Sequence, residues 1–301
     1  MTYLATQKIA NTKQSTLPAT IGAPDMNRIC VLREEHTDEV LSFLAQRPVH
    51  TVVMTSFIND NGIESELNRG KFCGYRSVMG DLEGVALIGH STLVEARTHD
   101  AMHALSITAR SSETPIHLIM SDGRSAETFW RYFRGHSVEP RLTCTEELFE
   151  LGFPFLVRKR EWEVRFATMD ELEQVAEAQA EVALLESGVD PMARDREGFL
   201  KRVARRIMQR RIHVVVENGK LLFKADVVAQ TDHTAYLEGI YVNPDHRGRG
   251  IGSNCLREVG LRLLNEVQNV CLLSNVEFKS AHRSFMRAGM RNTDACTTLF
   301  V

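Results

Sequence analysis

The sequence is short of most features that would assign it quickly. Among its 301 residues no apolar run approaches the ~20 residues of a membrane-spanning helix, so no membrane partner is expected. Residues 1–24 hold two lysines, no acid and no arginine, and lack the ~7–15-residue apolar stretch of a secretory signal. Residues 1–25 therefore read as a disordered leader. The six cysteines are scattered, with no CxxC and no Cys/His zinc-finger spacing, so no metal is expected. That usage fits a reduced, cytoplasmic setting better than secretion. There is no basic excess either. Lys and Arg number 36 against 39 Asp and Glu, a net charge of −3, which argues against nucleic acid as a partner. With 8 Pro and 19 Gly, a collagen-like or disordered chain is excluded.

What is present suits two domains of ~150 residues each. In the first, residues 29–32 read as a strand. Thr37 or Asp38 would cap a helix carrying Val40, Leu41, Phe43 and Leu44. Glycine-punctuated strands follow over residues 70–96, then a helix over 101–109, a strand over 116–120 and an amphipathic helix over 126–133. Leu151-Gly-Phe-Pro-Phe155, followed by the basic triplet Arg158-Lys159-Arg160, reads as a junction. The expected division is a first domain over 26–155 and a second over 156–301.

The second part repeats the coarse order of the first, as a duplication would. Residues 162–166 read as a strand. Thr168-Met-Asp-Glu171 has the form of a capping box, opening a helix with Leu172, Val175 and Ala176. The next helix buries Phe199, Leu200, Val203 and Ile207, and its other face carries Lys201, Arg202, Arg205, Arg206, Arg210 and Arg211. That basic face reads as solvated, with a phosphate or a partner as the alternative. Asn218-Gly219 between apolar runs predicts a hairpin.

Chemistry enters with Glu238-Gly-Ile-Tyr-Val-Asn-Pro-Asp-His-Arg-Gly-Arg-Gly-Ile-Gly252. Pro244 ends a strand, and Arg247-Gly248-Arg249-Gly250-Ile251-Gly252 opens a helix. Glycines there leave peptide N–H groups bare at the positive end of a helix, a cradle for linked phosphates. No Lys-Ser/Thr follows, which excludes a Walker A loop. The glycine spacing and the preceding hairpin also disfavour a dinucleotide fold.

Val242-Asn-Pro244 with Arg247-x-x-Gly250-x-Gly252 resembles motif A of the GNAT superfamily of acetyl-CoA-dependent N-acetyltransferases. Cys271-Leu-Leu-Ser-Asn275 resembles that family's fifth strand. The run from Lys279 to Met290 resembles its following helix and turn. The whole chain resembles bacterial two-part members that join an N-terminal domain of unknown function to an acetyltransferase domain. The resemblance implies an α+β fold with two GNAT-like mixed, mostly antiparallel sheets flanked by helices, the N-terminal one degenerate. It implies that the pantetheine arm pairs with Ile240, Tyr241 and Val242, and that the diphosphate lies on Arg247, Gly248, Arg249, Gly250, Ile251 and Gly252, with Ser253 adjoining. Asn275, Ala281 and Phe285 would flank the arm.

Amide formation requires an amine that loses a proton and a stabilised oxyanion. Glu238 is the expected base; a strand carboxylate paired with a neighbouring Lys or Arg is the plainer reading. Glu186, Asp190 and Asp195 fall in the loop that lines the acceptor site in related proteins. Glu186 is the first choice there for attracting a cationic amine, and Asp226 is a further substrate contact. Two residues depart from the family's pattern. Phe285 stands where members commonly place a Tyr that protonates the sulfur, and Phe278 where many carry Asn. General acid catalysis contributes ~10²–10⁴-fold, but a thiol with a pKa of about 8.5 leaves tolerably without it.

Around residues 92–101 the first domain has no glycines, so it is expected not to bind CoA in the same way and instead to shape the acceptor pocket or bury an inter-domain face. His99 and His103 have chelating i, i+4 spacing but no evident third ligand. The expectation is an N-acetyltransferase using acetyl-CoA as co-substrate and a small-molecule or peptide amine as acceptor. The alternative is a CoA-binding module without turnover. Oligomeric state is left open, a homodimer among the options.

Overall fold

The computed structural model describes residues 22–154 and 161–301. The expected leader up to residue 21, the boundary at Phe155 and the basic triplet lie outside the described residues.

In chain order the elements are β1 (Ile29–Val31), α1 (Thr37–Leu44), α2 (Val52–Asn61), β2 (Gly70–Arg76), β3 (Leu82–Gly89), β4 (Ser91–Ala96), α3 (His99–Arg110), β5 (Leu118–Asp122), α4 (Gly123–Arg134) and β6 (Leu142–Leu151). They continue with β7 (Arg165–Phe166), α5 (Leu172–Ser187), α6 (Pro191–Met208), β8 (Ile212–Glu217), β9 (Lys220–Gln230), β10 (Thr234–Val242), α7 (Ile251–Leu263), β11 (Asn269–Asn275), α8 (Lys279–Ala288) and β12 (Arg291–Phe300).

Local signals act where they stand. Thr168 and Glu171 form the capping box ahead of α5. Asn218 (φ 50°) and Gly219 (φ 76°) supply the two positive-φ residues of the β8–β9 hairpin. Asp190 accepts the amide of Met192 at 2.8 Å, and Pro191 occupies the first turn of α6, where its missing N–H costs nothing. The strand expected over 162–166 shortens to Arg165–Phe166.

The fold is the expected mixed α+β arrangement, but its two sheets are joined into one. Twelve strands run in the order β1-β2-β3-β4-β5-β12-β6-β11-β10-β9-β8-β7. Neighbours are antiparallel except β4–β5 and β10–β11, each joined by a helical crossover. The join is a reciprocal exchange. β12, last in the chain, lies between β5 and β6, while β6 lies between β12 and β11. Each half thus supplies a strand to the interior of the other.

Helices cover both faces. Val214 turns toward α5 and α6, whereas Val215 packs in the core beneath α7 and α8. The exchanged strand feeds that second core: Phe149 and Leu151 of β6 sit among Leu237, Leu256, Val259 and Phe285. The expected basic face is only partly solvated, and two of its members lie beyond α6, which ends at Met208: Arg210, at φ 56°, stacks on Phe166, and Arg211 follows it. Arg205 reaches Asn61 at 3.1 Å, and Arg211 forms a two-pronged pair with Asp60 at 2.7 and 2.8 Å. Ser56 of the same helix α2 accepts the amide of Gln230. Arg206 turns inward instead (below).

His99 and His103 cluster around Tyr132, through a 2.7 Å bond to its hydroxyl and a stacked ring. No metal-holding group of His, Cys, Asp or Glu occurs among the described residues.

Because Phe149 belongs to the first half by sequence and to the core of the second by packing, Phe149→Ala should cost about 3–5 kcal/mol. It should shift one cooperative denaturant transition of the whole chain. Two separated transitions, with only one displaced, would show that the exchanged strands do not couple the halves.

Candidate active site

The site begins with a fault in one strand. β10 pairs with its parallel neighbour β11 only from Thr234 to Leu237. On the opposite edge its register with β9 slips: Glu238 faces Asp226 and Tyr241 faces Lys224, so two residues stand opposite one. Such a bulge bends the strand that carries it. Gly239 sits in the bulge at φ 58°. A Cβ there would run into Gln179 Oε1 and come within 2.8 Å of Lys224 Nζ, so the position requires glycine on two counts.

Lys224 locks the fault. Its ammonium is fully buried, donates to the Gly239 carbonyl at 3.2 Å and to Gln179 Oε1, and lies 2.7 Å from Asp226 Oδ1. Burial lowers its pKa, and the Asp226 carboxylate opposes that shift. Arg206 completes the group, donating to Asp226 Oδ2 at 3.3 Å. Beyond Leu237, β10 bends away while β11 continues to Asn275, leaving an opening between the two strands. Ile240 and Val242 border it on the α7 side and Tyr241 on the α5 side.

At the foot of the opening lies the glycine loop. After a 3-10 turn over Pro244–His246, Gly248 (φ 79°) and Gly250 (φ 82°) take left-handed conformations, and α7 starts at Ile251. Gly250 is the N-cap and offers no side chain, so the first N–H groups of α7 are left for a ligand. A Cβ on Gly252 would approach Val242 Cγ2 to 3.1 Å. Arg247 donates from Nε to the Val242 carbonyl at 3.0 Å, Ser253 turns its hydroxyl to the Gly250 carbonyl at 3.0 Å, and Arg249 is exposed. The first half differs at the equivalent crossover. There Thr98 caps α3 with its own hydroxyl, accepting the Ala101 amide at 3.2 Å, so no open cradle remains.

Three carboxyls interact on the α5 side. Glu238 of β10 is half-buried; burial raises its pKa, while Arg206 and the hydroxyl of Tyr236 oppose the rise. Glu186, near the end of α5, keeps solvent access, yet burial of its carboxyl pushes it up to about 8, helped by the charges of Glu238 and Glu146. Glu146 comes from the exchanged strand β6. Burial pushes it to about 7; the Thr298 hydroxyl, donating at 2.6 Å, opposes this, and Glu238 adds to it.

Of the residues expected from sequence, Glu238 and Glu186 therefore fall in one electrostatic group. Asp226 does not join them as a substrate contact: it is 1% exposed and held by Lys224 and Arg206, with no face left for an amine. Asn275 ends β11 opposite Glu146, and its Oδ1 accepts the Glu277 amide at 2.9 Å. Ala281 packs against the core. Phe285 lies within it, 5% exposed, its ring centroid 5.4 Å from that of Phe149. Sequence reading missed Glu146, Lys224, Gln179 and Gly239. Only the glycine left a local trace, as a break in an apolar strand.

Residues 208–289 match the family model of the acetyltransferase (GNAT) domain. No curated protein matches the sequence. Solved structures of similar fold include a Drosophila protein, 11% identical, with a TM-score of 0.66 over 91% of this chain and 98% of that one. A GCN5-related N-acetyltransferase from Sphaerobacter thermophilus is 14% identical, with a TM-score of 0.58 over 90% and 95% of the two chains. A tandem GNAT protein from the clavulanic acid biosynthesis pathway is 13% identical, with a TM-score of 0.54 over 90% and 98%. At such identities these likenesses carry the fold. Within the C-terminal half, residues 208–289 carry the match to the GNAT domain, and the whole chain shares the fold of these solved structures.

The raised carboxyls give a sign for pH dependence. Between the unfolded Glu pKa of about 4.3 and about 8 for Glu186, the folded state holds the extra proton, so this group's contribution to stability falls as pH rises through that window. Glu186→Gln should raise the melting temperature at pH 9 and leave it unchanged at pH 4. An equal shift at both would remove the electrostatic explanation.

Proposed function

We propose that the C-terminal half transfers an acetyl group from acetyl-CoA to a primary amine by direct attack in a ternary complex. The observation that carries this reading is the opening where β10 leaves β11, with the uncapped start of α7 at its foot and ionisable carboxyls beside it.

The residues fit the coenzyme in a definite order. The amides from Arg247 to Gly252 take the diphosphate at the positive end of α7, with Ser253 adjoining. The bent end of β10, from Ile240 to Val242, offers its peptide groups to the pantetheine arm as an added strand, opposite Asn275 and Ala281. A peptide N–H at the end of β10 serves the thioester oxygen as negative charge builds there.

The acceptor enters from the α5 side beside Glu186, and its positive charge draws that carboxyl, pushed up to about 8 in the empty site, back to its ionised form. Glu238, directly or through a water, takes the proton that frees the nitrogen lone pair. The nitrogen then attacks the thioester carbon: a C–N bond forms, the nitrogen gives up its second proton to solvent, the C–S bond breaks, and the CoA thiolate leaves and takes a proton from solvent. A raised carboxyl pKa strengthens Glu238 as a base near neutral pH.

Phe285 favours a second reading, a CoA-binding module without turnover, because a buried phenyl ring has no proton to give the sulfur. Thiol release from acetyl-CoA across an amine panel separates the two. The transferase reading expects release with at least one amine, reduced ~10²–10⁴-fold by Glu238→Gln. Coenzyme binding without release from any amine selects the module. Under either reading Gly250→Glu should abolish the calorimetric heat of CoA binding; heat that survives would show that the phosphates bind elsewhere.

A further inference from the structure

A group of positive charges lies at the same end of the sheet as the acidic cleft, and nothing above uses it. Arg69 follows the 3-10 turn that leads into β2, and its guanidinium lies 3.0 Å from His90 Nδ1. His90, in the β3–β4 turn, has its ring centroid 4.2 Å from that of His117, which precedes β5. From the second half, Arg194 and Arg202 of α6 bring their charges to the same place, where both act on Arg69, His90 and His117 or on two of the three.

The counter-charge is thin. Asp195 lies 3.6 Å from Arg202 and also faces Arg69, but one of its oxygens accepts the Gly198 amide at 2.9 Å. Arg194 has no carboxylate partner among the described residues. Three exposed guanidiniums thus share one acid.

Three hydrogen bonds connect this group toward the cleft. The His117 carbonyl accepts the Val301 amide at 3.0 Å, and the Phe300 carbonyl accepts that of Arg141 at 2.9 Å. Arg141 donates to the Ser187 carbonyl, next to Glu186, at 3.4 Å. The cations therefore lie at the same end of the sheet as Glu186, Glu146 and Glu238, separated from them by three hydrogen-bonded steps.

We propose that Arg69, Arg194 and Arg202, with the ring nitrogens of His90 and His117, form an anion-binding subsite, built from both halves, at the same end of the sheet as the acidic cleft. Resting on the acyl-transfer reading, it makes the acceptor a zwitterion long enough to keep its charges well apart: its amine goes to the carboxyls, and its carboxylate or phosphate goes to the cationic subsite. Guanidinium is suited to either oxyanion because its planar fork donates in pairs. The local potential agrees, since burial and then the surrounding cations push His90 down to about 4, leaving a neutral ring able to donate. A bare diamine would find this subsite repulsive, which is specificity by exclusion.

The test reads the anion without turnover. In the full chain, the Cε1–H NMR signals of His90 and His117 are followed as sodium acetate or inorganic phosphate is added at constant ionic strength. The exposed double variant Arg194→Gln/Arg202→Gln is measured alongside. Saturable shifts of both signals are expected, with affinity weakened roughly tenfold in the variant. The stronger probe tells carboxylate from phosphate. Signals that ignore both probes, or that respond identically in the variant, overturn the subsite. If thiol release is observed, kcat/KM for a long ω-amino acid against the alkylamine that lacks its carboxylate should favour the ω-amino acid, and the variant should erase that preference. A preference unchanged in the variant also counts against the subsite. Saturable histidine shifts with no thiol release from any amine would remove the transferase and leave the anion site standing.

Discussion

Every interior strand must satisfy the backbone groups on both its edges, and for β6 and β12 both of those edges are met by the other half of the chain. An unpaired buried peptide group costs as much as a lost hydrogen bond, so neither half can close its own sheet without the other's last strand. From that constraint follow the continuous twelve-stranded sheet, the placing of Phe149 in the core beneath α7 and α8, and the arrival of Glu146 beside Glu238. The N-terminal half, which has no open phosphate cradle, thereby becomes part of the wall of the cleft.

Within that frame the bulge at Gly239 does the local shaping. A buried ammonium is costly unless it is paired and hydrogen-bonded. Lys224 meets the condition by binding Asp226, Gln179 and the very carbonyl that the bulge displaces. The same group explains why Asp226 is unavailable to a ligand, and why Arg206 turns inward while its neighbours reach α2 or solvent. One arrangement of charges thus both opens the slot and removes a carboxylate from the chemistry beside it.

The two strand–helix–strand crossovers differ in how their helix starts are satisfied. In the first half Thr98 supplies a side-chain acceptor to α3; in the second, Gly250 supplies none to α7. A capped helix end has little left for an anion, whereas an uncapped one holds free donors at the positive end of its dipole. This difference in capping leaves open donors at one crossover and a capped start at the other.

Signals that act within a few residues were legible from sequence: the capping box at Thr168 and Glu171, the Asn218-Gly219 hairpin and the glycine loop from Gly248 to Gly252. Each depends on backbone conformations that few residues adopt, so composition and spacing are enough to reveal it. The partners of Lys224, the third carboxyl at Glu146 and the docking of Arg211 on Asp60, 151 positions away, left no such trace. Their meaning depends on which distant strand or helix lies alongside, and any charged residue in a strand or on a helix face reads alike until then. Sequence alone therefore determined the local turns, the helix start that can hold phosphate and the family pattern around it. Only the tertiary structure decided which carboxyls meet and which are neutralised, because charge in a protein acts through space and burial rather than along the chain.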